Sequence, residues 1–139
     1  MMYWNVLAAG FYTSITWFAA GGILYMNPWS KKISDSAKNN PAVRIWKSQD
    51  SMMWQMYLLG VLVPSMIFST VFYYVSQALP SNTMIKGIYF GALLIGTWIL
   101  PRFIHMKLLS AYPNKLLAMD LINGAIASLV IGLTLAYTI

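Results

Sequence analysis

The residues able to do chemistry gather in one stretch of the sequence. Between Trp98 and Gly124 lie Arg102, His105, Lys107, Lys115 and Asp120: the single histidine, one of three acids and three of nine Lys and Arg residues. Asp120 and Asn123 are three apart and share a helical face, as do Arg102 and His105. If the helices flanking Pro113 and Asn114 fold back on each other, Asp120 comes level with Lys107. Asn123 then comes level with Ile104, beside His105, and Arg102 lies one turn deeper. Arg102, His105, Lys107, Asp120 and Asn123 would form a polar cluster near one membrane interface. Two roles fit such a cluster. One is structural: an Arg102–Asp120 or Lys107–Asp120 pair, with the cation reaching back to water along its aliphatic stem. The cluster's place near a helix end favours this role. The other is an access point for ions or protons, with His105 titrating near neutral pH. Ionisable groups inside a span mark such pathways by default.

Other chemistries find no support. The sequence shows no Ser-His-Asp arrangement, phosphate-cradling loop or paired carboxylate, so no catalytic residues are assigned and no enzyme is expected. The chain has no cysteine, which removes disulfides, thiolate nucleophiles and Cys metal sites. The acids and the histidine are scattered, so no metal site is expected. His105 and Met106 point about 100° apart on a helix and could not both ligate one haem iron. No cofactor and no nucleic-acid partner are expected.

The elements that must carry these residues are membrane helices. The chain is 59% hydrophobic and 9% charged over 139 residues, against roughly 25% charged for a soluble domain. Four stretches approach the ~20 apolar residues that cross a bilayer: residues 3–26, 52–78, 84–106 and 115–138. The fold class is therefore all-α: a polytopic membrane protein with four transmembrane helices in a bundle, forming one domain over residues 1–139. Residues 1–10 contain no Lys or Arg, so the first apolar run reads as a retained span and not as a secretory signal.

The connections set the orientation. Lys31, Lys32, Lys38, Arg44, Lys47, Arg102, Lys107 and Lys115 fall on one side, and Lys86 alone on the other. The positive-inside rule puts loops one and three in the cytoplasm and both termini outside. Loop one also invites a short interfacial helix over residues 41–50. There Asn40 would cap, Pro41 would open the first turn, and Ala42, Ile45, Trp46, Gln49, Met52 and Met53 would follow at helical spacing. Its basic residues would lie near anionic lipid headgroups.

Inside the spans, Pro64 and Pro101 are expected to kink their helices. Small residues recur at one-turn spacing: Gly124, Ser128, Gly132 and Ala136 in span four, and Gly87 with Gly91 in span three. Such stripes let helix backbones approach closely. The contact could lie within one chain or between copies.

Two local motifs carry a resemblance. The first is Leu24-Tyr25, Pro28, Trp29 and Lys31, after helix one. The second is the run from Asp120 to Leu133, where an acid and small residues precede an aliphatic stretch. Together they resemble an uncharacterised bacterial family of small four-helix inner-membrane proteins, a domain of unknown function. Leu24 stands where that family has Trp, and its glycine after the aromatic pair is absent. The resemblance implies a multi-pass bacterial inner-membrane topology and no activity. The function expected is that of a non-enzymatic integral membrane protein, acting as a homo-oligomer or as an accessory subunit of a larger membrane complex. Its partners would be the lipid bilayer and other membrane chains or itself. The alternative is a small ion or solute channel or transporter using the polar cluster.

Overall fold

The structure is a computed structural model that describes residues 2–37, 39–41 and 49–139. Its described residues form five helices and no strand. Helix α1 is Met2–Met26 and α2 is Pro28–Ser36. Helix α3 runs over residues 49–78, α4 is Thr83–Leu109 and α5 is Asn114–Thr138. All but α2 are long and apolar enough to cross a membrane. The interfacial helix expected at 41–50 falls mostly on residues 42–48, outside the described residues.

Helix α2 was not anticipated from the sequence, yet the grammar was present. Asn27-Pro28 repeats the dipeptide Asn40-Pro41, at which a helix start was expected from the sequence. The Asn27 side chain accepts from the Ser30 N–H at 2.9 Å, satisfying one orphan donor of the first turn. Pro28 sits in that first turn, where its missing N–H costs nothing.

Prolines interrupt both α3 and α4: Pro64 lies near the middle of α3 and Pro101 in the last third of α4. Just before Pro64 the backbone widens into a π-helical stretch, Met56–Leu62, and just before Pro101 into another, Ile95–Ile99. The reason is steric and electronic. A proline ring collides with the carbonyl four residues back and offers no N–H to it. In the widened turns Val63 N–H bonds Leu58 O, and Leu100 N–H bonds Ile95 O, each reaching five residues back. Within a membrane this local re-pairing is what makes a mid-span proline tolerable.

The four long helices close into a ring. Helix α5 packs against α4 on one side and α1 on the other, and α1 packs against α3. Aromatic rings join the rest. Phe72 of α3 meets Phe90 of α4 edge-on at 5.0 Å. Trp98 of α4 touches Trp17 of α1 at 5.5 Å and Phe68 of α3 at 5.3 Å. The core they enclose holds Ala9, Phe72, Phe90, Leu94, Ile131 and Leu135. A smaller core of Ala37, Leu116 and Met119, with Ile33 and Tyr112 against it, lies where α2 meets the start of α5.

The small residues lie inside this chain. A side-chain carbon on Gly132 would strike the Gly87 carbonyl oxygen and come within 2.7 Å of the Gly91 nitrogen. One on Gly91 would meet Leu129 Cα at 2.9 Å and Ser128 O at 3.0 Å. One on Gly124 would meet Ile99 Cδ1 at 2.9 Å. Gly87, Gly91, Gly124, Ser128 and Gly132 are thus the floor of the α4–α5 seam. Ala136 packs beside the main core. Ser128 is fully buried and donates its hydroxyl to Gly124 O at 2.8 Å, so its side chain is satisfied within α5.

Candidate functional site

Polar groups of α1, α2 and α5 meet at one corner, where α1 ends, α2 begins and α5 passes. The last four carbonyls of any helix lack intrahelical donors. At the end of α1 that demand falls on Ile23 and Leu24. The Asn27 amide donates to Leu24 O at 2.6 Å and to Ile23 O at 3.3 Å. Asn27 therefore closes α1 with its N–H2 while its carbonyl oxygen opens α2. Ser30, fully buried, donates its hydroxyl to the same Leu24 O at 2.5 Å. From α5, Asn123 reaches across with its amide to Leu24 O and to Ser30 Oγ, both at 3.3 Å. Asn123 is 2% exposed, so these contacts answer a side chain with no access to water. One turn nearer the start of α5, the Tyr25 hydroxyl donates to Asp120 Oδ1 at 3.2 Å.

The cluster expected from spacing is thereby divided. Asp120 and Asn123 do share a face of α5, but that face looks toward α1 and α2. Arg102, His105 and Lys107 are exposed on α4. Lys107 Nζ stands 6.0 Å from the centre of the Phe103 ring. The expected ion pair between Asp120 and a cation of α4 does not form. Tyr25 takes that place, while the Arg102 charge stays near enough to act on the surroundings of Asp120. The physical reason is rotational: Phe103 and Lys107 turn toward the first residues of α5, where they line a small cavity with Asn114, Leu117 and Ala118. That leaves Asp120 beside α1.

Tyr112, in the turn between α4 and α5, borders the same region. Burial lifts its phenol above the ordinary value of 10, the negative charge of Asp120 adds to the rise, and Arg102 opposes it. Tyr112 is accordingly a neutral phenol across the physiological range. Among the described residues no group of three His, Asp or Glu side chains gathers to hold a metal ion.

Sequence reasoning missed Leu24, Tyr25, Asn27 and Ser30 as partners of Asp120 and Asn123. The signal was there in two pieces. Residues 24–31 and 120–133 stood out separately as local motifs, and in the structure they touch. With four spans, the end of the first and the start of the fourth share one side of the bundle. Asp120 lies six residues into α5, about 9 Å along its axis. That depth matches the last turn of α1.

A second polar seam joins α1 and α3. Ser14 bonds the Tyr57 hydroxyl at 3.0 Å, and Ser69 donates to Val6 O at 2.6 Å. Thr13 and Ser65 on the same seam are fully buried and their hydroxyls have no partner.

A family model described as a protein of unknown function, DUF1761, matches residues 6–136. Neither a curated protein nor a solved structure matches the chain.

Proposed function

The chain belongs to this family, DUF1761, and from that premise we propose that it is a non-enzymatic integral membrane protein working as a homo-oligomer or as an accessory subunit of a larger membrane complex. Membership brings no activity with it, so the reading rests on the residues. The observation that carries it is the use made of Asp120 and Asn123. These are the polar groups inside α5 best placed to line a path. Both are taken up by Tyr25, Ser30 and the Leu24 carbonyl. They brace the α1–α2 corner. The α4–α5 seam is backbone against backbone, and the ring's centre is filled by Trp17, Phe68, Phe72, Phe90 and Trp98. What such a bundle offers a membrane is its outer face.

The orientation follows the charges. We place residues 27–51 and the turn at 110–113 in the cytoplasm and both termini outside, in a bacterial inner membrane. Single cysteines at Ser36 and Ser81 test this with an impermeant thiol reagent on intact cells. Ser81→Cys should label and Ser36→Cys should not, and the reverse pattern inverts the protein.

A channel or transporter is the competing reading. It draws on one observation: the exposed Arg102, whose charge reaches Asp120 without pairing with it. Purification from native membranes in mild detergent separates the two, with mass and accompanying chains determined together. The accessory reading expects more than one chain per particle. A lone monomer that conducts a pH-dependent flux in proteoliposomes, abolished by Asp120→Asn, would replace it with the transporter.

A further inference from the structure

We propose that the notch between α2 and the first turn of α5 holds the phosphate-bearing headgroup of an anionic phospholipid. The notch is a cavity of about 300 Å3. Its floor is apolar, made by Ile33, Ala37 and Leu116, and its rim carries Ser36, Asn114 and Lys115. Ala37 and Leu116 are buried and belong to the small core beneath α2, so the floor is fixed by packing. Such a surface suits an amphipathic ligand, with glycerol and upper acyl carbons on the floor and phosphate at the rim.

Charge selects the headgroup. Lys115 is exposed at one edge. Lys32 is exposed and stands four residues before Ser36, hence on the same face of α2 and one turn along the opposite edge. Among the described residues no carboxylate lines the notch; Asp35, the nearest acid in sequence, is exposed outside it. A choline or ethanolamine ammonium would find no counter-charge there, whereas a net-anionic headgroup meets Lys115 at the rim, with Lys32 one helical turn away along α2. The height is right as well. The notch sits where α2 ends and α5 begins, and Trp29, a residue type that settles at the bilayer interface, is exposed at the other end of the same short α2. The notch requires that the four long helices span a bilayer, but not any oligomeric or subunit role, so the mass of the native particle leaves it untouched.

The test is lipid retention in native mass spectrometry. The full chain, in mild detergent, is offered phosphatidylglycerol or phosphatidylcholine of identical acyl chains. The wild-type chain should retain one phosphatidylglycerol per copy under washing that strips phosphatidylcholine. Lys115→Gln and Lys32→Gln should each lower that retention about fivefold, the effect of one basic side chain at an anionic surface. Lys86→Gln, at the far end of the bundle, should leave it unchanged. Equal retention of the two lipids by the wild-type chain overturns the proposal without any variant having to fold. So does Lys115→Gln that keeps phosphatidylglycerol as the wild type does. Displacement of the lipid by glycerol 3-phosphate at matched concentration would assign the notch to a soluble phosphate and overturn the lipid.

Discussion

Helix α5 meets its neighbours in two ways. Along its C-terminal half it meets α4 through Gly132 and Ser128 set against Gly87 and Gly91, with backbones so close that one added carbon has no room. Toward its N-terminal end it meets α1 and α2 through Asn123 and Asp120, hydrogen-bonded to groups 93 to 99 residues away. The first contact has no alternative geometry, because what it would have to displace is backbone. The second is assembled from several bonds that overlap in purpose: Leu24 O accepts from Asn27, Ser30 and Asn123 at once. A contact of the first kind should fail all at once, and one of the second kind by degrees. In a bilayer this ordering is sharpened, since lipid tails are as apolar as a core and close packing must do what the hydrophobic effect does in water.

The largest effect should therefore come from the seam. Gly132→Leu drives a side chain into the Gly87 carbonyl and the Gly91 amide. We expect a loss of about 3 kcal/mol, the upper range for overpacking, read by thermal unfolding in detergent. Gly96→Leu is the control, because nothing lies within 4 Å of a carbon placed there. It should stay within about 0.5 kcal/mol of wild type, as surface changes do. Equal tolerance of both would mean that the seam is not the rigid half of the comparison.

These two contacts were also unequally legible. The seam was visible as spacing, because Gly124, Ser128, Gly132 and Ala136 recur along one helix and Gly87 and Gly91 along another. Periodicity within a helix is a local property. What spacing could not say was that the two stripes face each other in one chain. The spans were equally plain, and their ends moved only slightly: the third was expected at 84–106 and is Thr83–Leu109. The corner was not legible, because Tyr25 with Asp120, and Ser30 with Asn123, become neighbours only after α1 and α5 have docked. Placing Asp120 against Arg102 or Lys107 assumed that the two sides of one turn pair with each other. The third neighbour, α1, intervened. The Asn27-Pro28 cap was legible in principle, since the same dipeptide at 40–41 was read as a helix start.

At the corner, the next largest effect belongs to Asn123. Asn123→Ala removes both cross-helix bonds and leaves a gap at a site 2% exposed. About 2 kcal/mol is expected from the lost bonds and the void together. Asn123→Leu should recover the packing share of that loss but not the rest, which separates the two contributions. A null effect of Asn123→Ala would show that Asn27 and Ser30 satisfy Leu24 O by themselves.

Asn27→Ala should come third, at about 1 kcal/mol, the usual cost of an N-cap. Its particular signature is local. Because Asn27 closes α1 and opens α2, hydrogen exchange should rise at Ser30 and in the last turn of α1 while the α4–α5 seam keeps its protection. Exchange rising across the whole chain would mean that corner and seam unfold as one unit, and the contrast drawn above would not survive.

The smallest effect concerns Tyr25 and Asp120, and it carries the most information about charge. One bond at 3.2 Å joins them. Removing the donor and removing the charge are not equivalent. Tyr25→Phe leaves an ionised carboxylate inside the helix bundle with one donor fewer, an unfavourable remainder. Asp120→Asn keeps an acceptor for the Tyr25 hydroxyl and removes the charge altogether. Tyr25→Phe should therefore cost more, on the order of 0.6 kcal/mol as cross-helix bonds in membranes average. In the Asp120→Asn background that cost should shrink, because the stranded charge that made it expensive is gone. Arg102→Gln is the decisive third variant. Its charge acts at a distance on Asp120 without forming a pair, so its removal should cost less than Tyr25→Phe. If it costs more, the corner is governed by a charge on α4. Helix α5 would then be held at that end by α4 as well, and the two contacts would be two ends of a single interface.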